Sequence, residues 1–311
     1  MKDSINNEKA GVLYAALAYF MWGILPLYWK LLDHIAAGEI LAHRIFWSFV
    51  FMILLLMFNR QLVLFREQLQ IIVRNPQKAI GVIVAALLIS MNWFIYIWAV
   101  NHEHVVEASL GYYINPLVSV VLGMVVLKER LNIWQLISFI LAIIGVFIIT
   151  IQYGSFPWIS ISLAVSFGLY GLAKKIATFD SSIGLTLETM VVTPVSLLYI
   201  VYVQAKGIGS FDVTDWSTLL LMGAGPATAL PLLYFAKGAK RISLTMIGFL
   251  QYIAPTISLL LGIFLFHETF TKIHFYSFSF IWAALIIFSF SKTKQMESLH
   301  EKWMNRNSLR I

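Results

Sequence analysis

The chain has 311 residues, of which 60% are hydrophobic and 12% charged, with a net charge of +7 and no cysteine. Soluble domains hold roughly 45–50% apolar and 25% charged residues, so this composition predicts a protein whose surface faces lipid. The lack of cysteine excludes disulfide bonds and thiolate metal sites. The cations lie in short turns between apolar runs rather than on one face, which argues against nucleic-acid binding.

Ten apolar segments are long enough to cross a bilayer, whose hydrocarbon core takes about 20 helical residues. We therefore predict an all-α integral membrane protein. Its spans lie near 11–31, 37–58, 79–100, 105–127, 132–151, 157–177, 183–204, 215–236, 243–266 and 271–291. No A-x-A-like cleavage site follows the first span, so we expect it to be retained. The connection 59–78 mixes basic and apolar residues, which predicts a short helix on the membrane surface.

The distribution of cations predicts the orientation of the chain. Of the 22 Lys and Arg residues, all but four fall in the tails and the even-numbered loops. The exceptions are Lys30, Lys206 and Lys272 in odd-numbered loops and Arg44 inside the second span. Because positive charge concentrates in cytoplasmic loops, both termini are predicted to be cytoplasmic.

An internal repeat relates the fourth and ninth spans. A shift of 139 residues aligns Tyr113 with Tyr252, Pro116 with Pro255, Ser119 with Ser258, Gly123 with Gly262 and Glu129 with Glu268. Five spans separate the copies, and because five is odd the second copy has the opposite orientation, as in secondary transporters. We predict two inverted five-helix repeats, 11–151 and 157–291, between cytoplasmic tails of 1–10 and 292–311.

Three segments carry a family resemblance. The run NWFIYIWAVNHEHVVEASLGYYINPLVSVVLG at 92–123, EILAHR at 39–44 and SFGLYGLAKK at 166–175 resemble RarD-type proteins of the EamA family, in the drug/metabolite transporter superfamily. The resemblance extends over about 10–290. It implies two inverted EamA repeats, and transport of a small organic metabolite or drug-like solute across the bacterial plasma membrane, usually as export. It implies no particular substrate.

Polar and aromatic residues near the middle of several spans predict a central cavity. Aromatic walls with a few hydrogen-bonding groups suit an amphipathic organic solute. The predicted lining residues are Trp22, Asn92, Tyr96, Tyr113, Asn115, Tyr170, Gln251 and Tyr252. Pro116 and Pro255 free backbone carbonyls at matching points of the two halves and are the predicted hinges. The alternative for each lining residue is helix packing or an interhelical hydrogen bond.

The outer halves of the spans also contain residues that carry or can gain charge. The candidates for proton coupling or for a structural charge are Glu39, His43, Arg44 and Glu107. Arg44 lies roughly 10 Å into its span at about 1.5 Å per residue, and we expect it to pair with Glu39 or Glu107 rather than to bind substrate. A histidine can change its charge near neutral pH, which makes His43 a candidate for proton coupling. The simpler expectation is that His43 only packs against its neighbours.

Three further carboxylates are predicted to be structural. Glu188 lies about one turn inside the seventh span, where Lys174 or Lys175 is expected to neutralise it. Glu129 and Glu268 are expected to hold turns at helix ends.

Two other functions compete with a transporter. The first is a membrane-embedded enzyme acting on a lipid or lipid-linked substrate, but no H-E-x-x-H motif occurs and every Asp falls in a tail or loop. The turn formed by His102, Glu103 and His104 is a weak metal motif, so we predict no metal, cofactor or catalytic residue. The second is a signalling or assembly scaffold, a function that does not explain why prolines and polar groups occur in pairs near the middle of the spans. The predicted partners are a small-molecule substrate and lipid. A monomer is sufficient to enclose a transport pathway, and the sequence does not decide whether the protein forms oligomers.

Overall fold

A computed structural model describes residues 2–291 except 103, 155, 213 and 266–270. The described chain is helical and contains no strand. Its helices are α1 (Lys2–Lys30), α2 (Ala37–Phe58), α3 (Leu62–Arg74), α4 (Pro76–Asn101), α5 (Val105–Val125), α6 (Ile133–Tyr153), α7 (Trp158–Ile176), α8 (Ser181–Ala205), α9 (Ser217–Ala239), α10 (Leu244–Gln251), α11 (Ile253–Phe264) and α12 (Lys272–Phe290).

The described residues form ten helical segments that are long and apolar enough to cross a membrane, which confirms the predicted number of spans. The helix predicted between the second and third spans is α3. Two details differ from the prediction. The first helix begins at Lys2 rather than near residue 11, and the ninth span is interrupted at Tyr252, so α10 and α11 together make one crossing.

Local capping fixes several helix ends. Asn132 and Gln135 form a capping box at the start of α6, and Gly154 ends that helix in the left-handed conformation, with φ at 76°. The side chain of Asp180 accepts from the Ser182 N–H at the start of α8. Side-chain caps satisfy N–H groups that have no partner within the helix, so local sequence defines the starts of α6 and α8.

Helix pairing has the exchange symmetry that an inverted repeat predicts. The two halves correspond if α1 is matched with α7, α2 with α8, α4 with α9, α5 with α10–α11, and α6 with α12. The packing of α1 on α9 and α11 then corresponds to that of α7 on α4 and α5. The pairs α5 with α10, α6 with α12 and α2 with α8 map onto themselves. The two halves therefore meet along α5, α10 and their neighbours.

Small residues allow these helices to approach closely. A Cβ added at Gly248 of α10 would lie 2.7 Å from the carbonyl oxygen of Pro116 on α5. A Cβ at Gly145 of α6 would lie 2.8 Å from the carbonyl oxygen of Ser277 on α12, whose hydroxyl donates to the Gly145 carbonyl at 2.6 Å. Small residues with interhelical hydrogen bonds are the usual contacts between membrane helices.

The outward surface of the bundle is apolar. Phe58, Phe264 and Phe147 are exposed large hydrophobic side chains. In the most apolar stretch of each spanning helix, the share of residues buried inside the protein rises from 22% in α4 to 56% in α9. The helix α9 therefore lies at the centre of the bundle, whereas α4 presents most of its surface to the surroundings.

Candidate functional site

The contact between α5 and α10 brings four of the predicted lining residues together. Ser119 on α5 donates to the side-chain oxygen of Gln251 at 3.2 Å. The hydroxyl of Tyr252 donates to the carbonyl oxygen of Tyr113 at 3.4 Å. These bonds cross the boundary between the two halves, close to where the ninth span is interrupted.

Two prolines explain the backbone at this crossing. Proline lacks an N–H and cannot bond to the carbonyl four residues earlier. Pro255 therefore leaves the carbonyl of Gln251 without its helical donor, and α10 ends at Gln251. Pro116 lies inside α5, which continues through it. The matched prolines thus have different effects on the two helices.

Asn115 also lies at this crossing. Its side chain is buried, and its Oδ1 has no hydrogen-bond partner among the described residues. Leaving a buried polar group without a partner costs about 1–3 kcal/mol. Such an atom is a candidate for contact with a ligand or a water molecule.

A second group of predicted residues forms an aromatic cluster between α1, α7 and α9. Phe235 is fully buried, stacks on Tyr170 with centroids 6.0 Å apart, and lies 5.7 Å from the Trp22 ring. Phe167 packs edge-on against Trp22. Tyr170 is also fully buried, so it packs in the protein core in this conformation. Sequence reasoning missed Phe235, because one phenylalanine among many apolar residues carries no signal.

The Tyr170 hydroxyl connects this cluster to a buried ion pair. Lys174 Nζ donates to Glu188 Oε1 at 2.5 Å, and both side chains are buried. The Tyr170 hydroxyl donates to Glu188 Oε2 at 3.2 Å. The pairing of Glu188 with Lys174, one of the two lysines predicted for it, is therefore confirmed. Lys175 instead donates to the Ile242 carbonyl at 2.6 Å.

The third group surrounds Arg44 on α2. Its Nε donates to Thr228 Oγ1 on α9 at 3.0 Å. Its guanidinium carbon lies 4.6 Å from the Trp29 ring centroid and 5.3 Å from that of Trp93. Tyr96, one of the predicted lining residues, and Tyr112 lie near the same guanidinium, and the centroids of their rings are 6.1 Å apart. We call Arg44, Trp29, Trp93, Tyr96, Tyr112 and Thr228 the Arg44 cluster.

The predicted partners of Arg44 have other roles, so that expectation was wrong. In the described part of the chain Arg44 makes no ion pair with a carboxylate. Glu39 is buried and accepts from the backbone and hydroxyl of Ser210, in the loop before α9. Glu107 is buried and accepts from the Ile159 N–H at 2.8 Å, at the start of α7. Both carboxylates bond to backbone donors that hold irregular segments in place.

His43 is a packed residue, as expected. Its ring stacks on Phe211 with centroids 5.2 Å apart, and its Nδ1 accepts from the Trp47 indole at 3.3 Å. Its Nε2 lies 4.0 Å from Glu39 Oε1, so the two residues share a face. In the loop before α9, hydrogen bonds from the Thr214 backbone and side chain lower the pKa of Asp212. The loop before α9 is therefore held by both local and interhelical bonds.

Asn92 bridges two helices. Its amide donates to the Leu163 carbonyl at 2.9 Å and to the Ser166 hydroxyl at 3.0 Å, both on α7. In the turn predicted as a weak metal motif, the rings of His102 and His104 stack on Trp98. The third residue of that turn, Glu103, lies outside the described residues.

Glu129 holds a helix start, as predicted. Its carboxylate accepts from the Leu244 and Thr245 N–H groups at the start of α10. Its repeat counterpart, Glu268, is also outside the described residues.

Comparison with known proteins agrees with this architecture. The profile of the EamA-like transporter family matches residues 9–151 and 157–290. The chain is 53% identical to an uncharacterized transporter of Bacillus subtilis (strain 168), YojE, over 93% of this chain and 96% of that protein. It is 43% identical to the protein RarD of Escherichia coli (strain K12), over 91% and 94% respectively.

One solved crystal structure has the same fold. It superimposes with a TM-score of 0.69 at 17% sequence identity, covering 94% of this chain and 99% of its own. That identity supports the fold alone. From the family match and the identity to its relatives, the chain belongs to the EamA-like transporter family and is a multi-pass membrane transporter.

Proposed function

We propose that the chain is a secondary transporter that exports a small organic solute by alternating access, with its site where the two halves meet. One observation carries the proposal. The regular hydrogen bonding of the ninth span lapses at Tyr252, which keeps helical dihedrals (φ −64°, ψ −12°), at the point where α10 packs on the Pro116 region of α5. Interrupted helices at the interface between inverted repeats form the binding sites of secondary transporters.

The chemistry at this crossing suits a solute with both polar and apolar parts. Asn115 offers a buried oxygen that no described residue bonds. Tyr252 and Tyr113 supply aromatic surface beside it. Pro116 and Pro255 act as hinges in the proposed mechanism, because a helix with a missing hydrogen bond bends more easily.

Contacts between helices tie together the predicted cytoplasmic end of the bundle. At the predicted cytoplasmic end, the Glu129 carboxylate holds the start of α10 and Lys175 bonds to the Ile242 carbonyl just before it. In the outer half, Arg44 keeps part of its side chain exposed. We infer a state closed to the cytoplasm, with both termini on the cytoplasmic side of the bacterial inner membrane. Inward opening then requires the Glu129 and Lys175 contacts to break.

The absence of cysteine from the sequence makes this orientation straightforward to test. Asp33→Cys lies in an exposed outer turn, and Arg74→Cys lies at the exposed end of α3. In intact cells a membrane-impermeant maleimide should label the first variant and not the second. The reverse result would invert the proposed orientation.

Transport is tested by comparing the metabolites of cells that lack the protein with those of cells that overproduce it. The solute that changes most is then loaded into liposomes holding the full-length protein. We expect saturable flux of the unaltered solute, and Asn115→Ala should reduce it at least about tenfold. Asn59→Ala, in an exposed turn, is the matched control. A covalently altered product would favour the alternative, a membrane-embedded enzyme acting on a lipid or lipid-linked substrate.

A further inference from the structure

Arg44 is a cation inside a span whose hydrogen-bonding capacity is largely unused. A guanidinium has five N–H donors, and in the described structure only Nε has an acceptor, the Thr228 hydroxyl. The remaining guanidinium nitrogens are not among the buried side-chain atoms that lack a partner. Each of them therefore keeps some accessible surface although the side chain lies largely within the bundle.

The surroundings of Arg44 stabilise its charge without occupying its donors. Trp29 and Trp93 lie within cation–π distance of the guanidinium carbon. A cation–π contact stabilises the charge, but a ring face accepts no strong hydrogen bond. The outer paired edge of the guanidinium thus remains free to bind a planar anion.

The type of anion follows from charge and shape. The guanidinium fork matches the two oxygens of a carboxylate in a bidentate pair. The Arg44 cluster contributes a single cation, which balances a monoanion better than a phosphate dianion. Its other members are aromatic apart from Thr228, and Tyr112 is half exposed beside Tyr96, with ring centroids 6.1 Å apart. These rings offer an apolar wall to the body of the solute.

We propose that the Arg44 cluster is a substrate-recognition site that binds the carboxylate of an organic monoanion with a planar apolar body. The inference rests on the proposed transport function and adds the chemical class of the solute. It places the first contact in the outer half, on α2, with α1, α4, α5 and α9 around it. The α5–α10 crossing then lies deeper on the same route.

Binding to the purified full-length protein in nanodiscs tests the site. The probes are benzoate and indole-3-acetate, their uncharged amides, and phenyl phosphate, with tryptophan fluorescence and saturation-transfer NMR as readouts. We expect saturable binding of at least one carboxylate and weaker binding of its amide and of phenyl phosphate. The Arg44→Gln variant should raise the Kd about tenfold to a hundredfold, because a charge-assisted pair contributes about 1.5–3 kcal/mol. Arg44→Lys should recover only part of the affinity.

Lys206→Gln is the matched control, because Lys206 is an exposed outer cation outside the cluster. Equal binding to wild type and Arg44→Gln would overturn the inference, as would equal affinity for carboxylate and amide. The absence of saturable carboxylate binding to wild type at millimolar concentration would overturn it too. The carboxylate could also compete with an anionic lipid. If it binds in phosphatidylcholine nanodiscs but not when phosphatidylglycerol is added, Arg44 binds a lipid phosphate instead and the inference is overturned.

The inference and the proposed function fail in different ways. If liposomes transport a solute with equal rates for wild type and Arg44→Gln, transport stands and the Arg44 site is wrong. If Arg44-dependent carboxylate binding occurs but no solute crosses the bilayer, the site stands as a binding site and the transport proposal fails.

Discussion

Two cations on membrane-spanning helices, Lys174 at the end of α7 and Arg44 within α2, have opposite surroundings. Lys174 is buried and bonds to the buried carboxylate of Glu188 at 2.5 Å. Arg44 has two tryptophan faces and one hydroxyl, and within the described structure no carboxylate. The first arrangement buries the ammonium against its counter-charge, whereas the second leaves most of the guanidinium donors without an acceptor in the described structure. Charge inside a membrane protein is therefore structural or functional according to what its neighbours have already satisfied.

The largest expected effect comes from breaking the buried pair. Glu188→Gln leaves Lys174 without its counter-charge, and removing one partner of a buried pair costs about 3–5 kcal/mol. Denaturant unfolding in detergent should show this loss. The double variant Lys174→Met with Glu188→Leu removes both charges and should recover most of it. If the Glu188→Gln variant is as stable as wild type, the buried pair contributes no more to stability than an exposed ion pair.

The second largest loss of stability is expected at the contact between α5 and α10, where the two halves meet. In Gly248→Ala the new Cβ would lie 2.7 Å from a backbone oxygen on α5, and overpacking of this kind costs about 1–3 kcal/mol. Gly81→Ala is the control, because nothing lies within 4 Å of its added Cβ. The pair should differ in thermal unfolding temperature, with Gly248→Ala lower. Equal temperatures would show that α10 moves freely relative to α5.

A smaller effect is expected at the start of α10. Glu129→Gln removes a charge that favours a helix N-terminus and one of two acceptors for the Leu244 and Thr245 N–H groups. The cost should be about 1–2 kcal/mol. Hydrogen exchange should then quicken at the first turn of α10, while Glu67→Gln, on the exposed face of α3, should leave it unchanged. Unchanged exchange at this turn in Glu129→Gln would show that the cap is not needed.

The smallest effect on stability is expected for Arg44 itself. Arg44→Gln loses cation–π contacts of about 0.5–2 kcal/mol but also removes a charge that is costly within a membrane. We expect the free energy of unfolding to stay within about 1 kcal/mol of wild type. A loss as large as that of Glu188→Gln would place Arg44 in the same structural class as Lys174, and would end the contrast between them.

How much of the site the sequence predicted depends on the range of the interactions. The partner of Glu188 was predictable because the turn between α7 and α8 is short, so few cations are within reach. The partner of Arg44 was predicted wrongly, because sequence supplies depth along a span but not rotation about the bundle. Glu39 and Glu107 each bond to backbone donors on another segment, and backbone N–H groups carry no mark in the sequence. Thr228 is distant in sequence and gave no signal.

Composition and hydrophobic run length by themselves determined the membrane class and the ten spans, because lipid requires continuous apolar helices of fixed length. The matched residues Pro116 and Pro255 indicated a repeat. Only the tertiary structure decided that the regular hydrogen bonding of the ninth span lapses beside Pro255, at Tyr252, while α5 continues through Pro116. It alone decided which cation was left without a carboxylate among the described residues. Both outcomes depend on which faces meet, and helix packing sets those faces after the spans have formed.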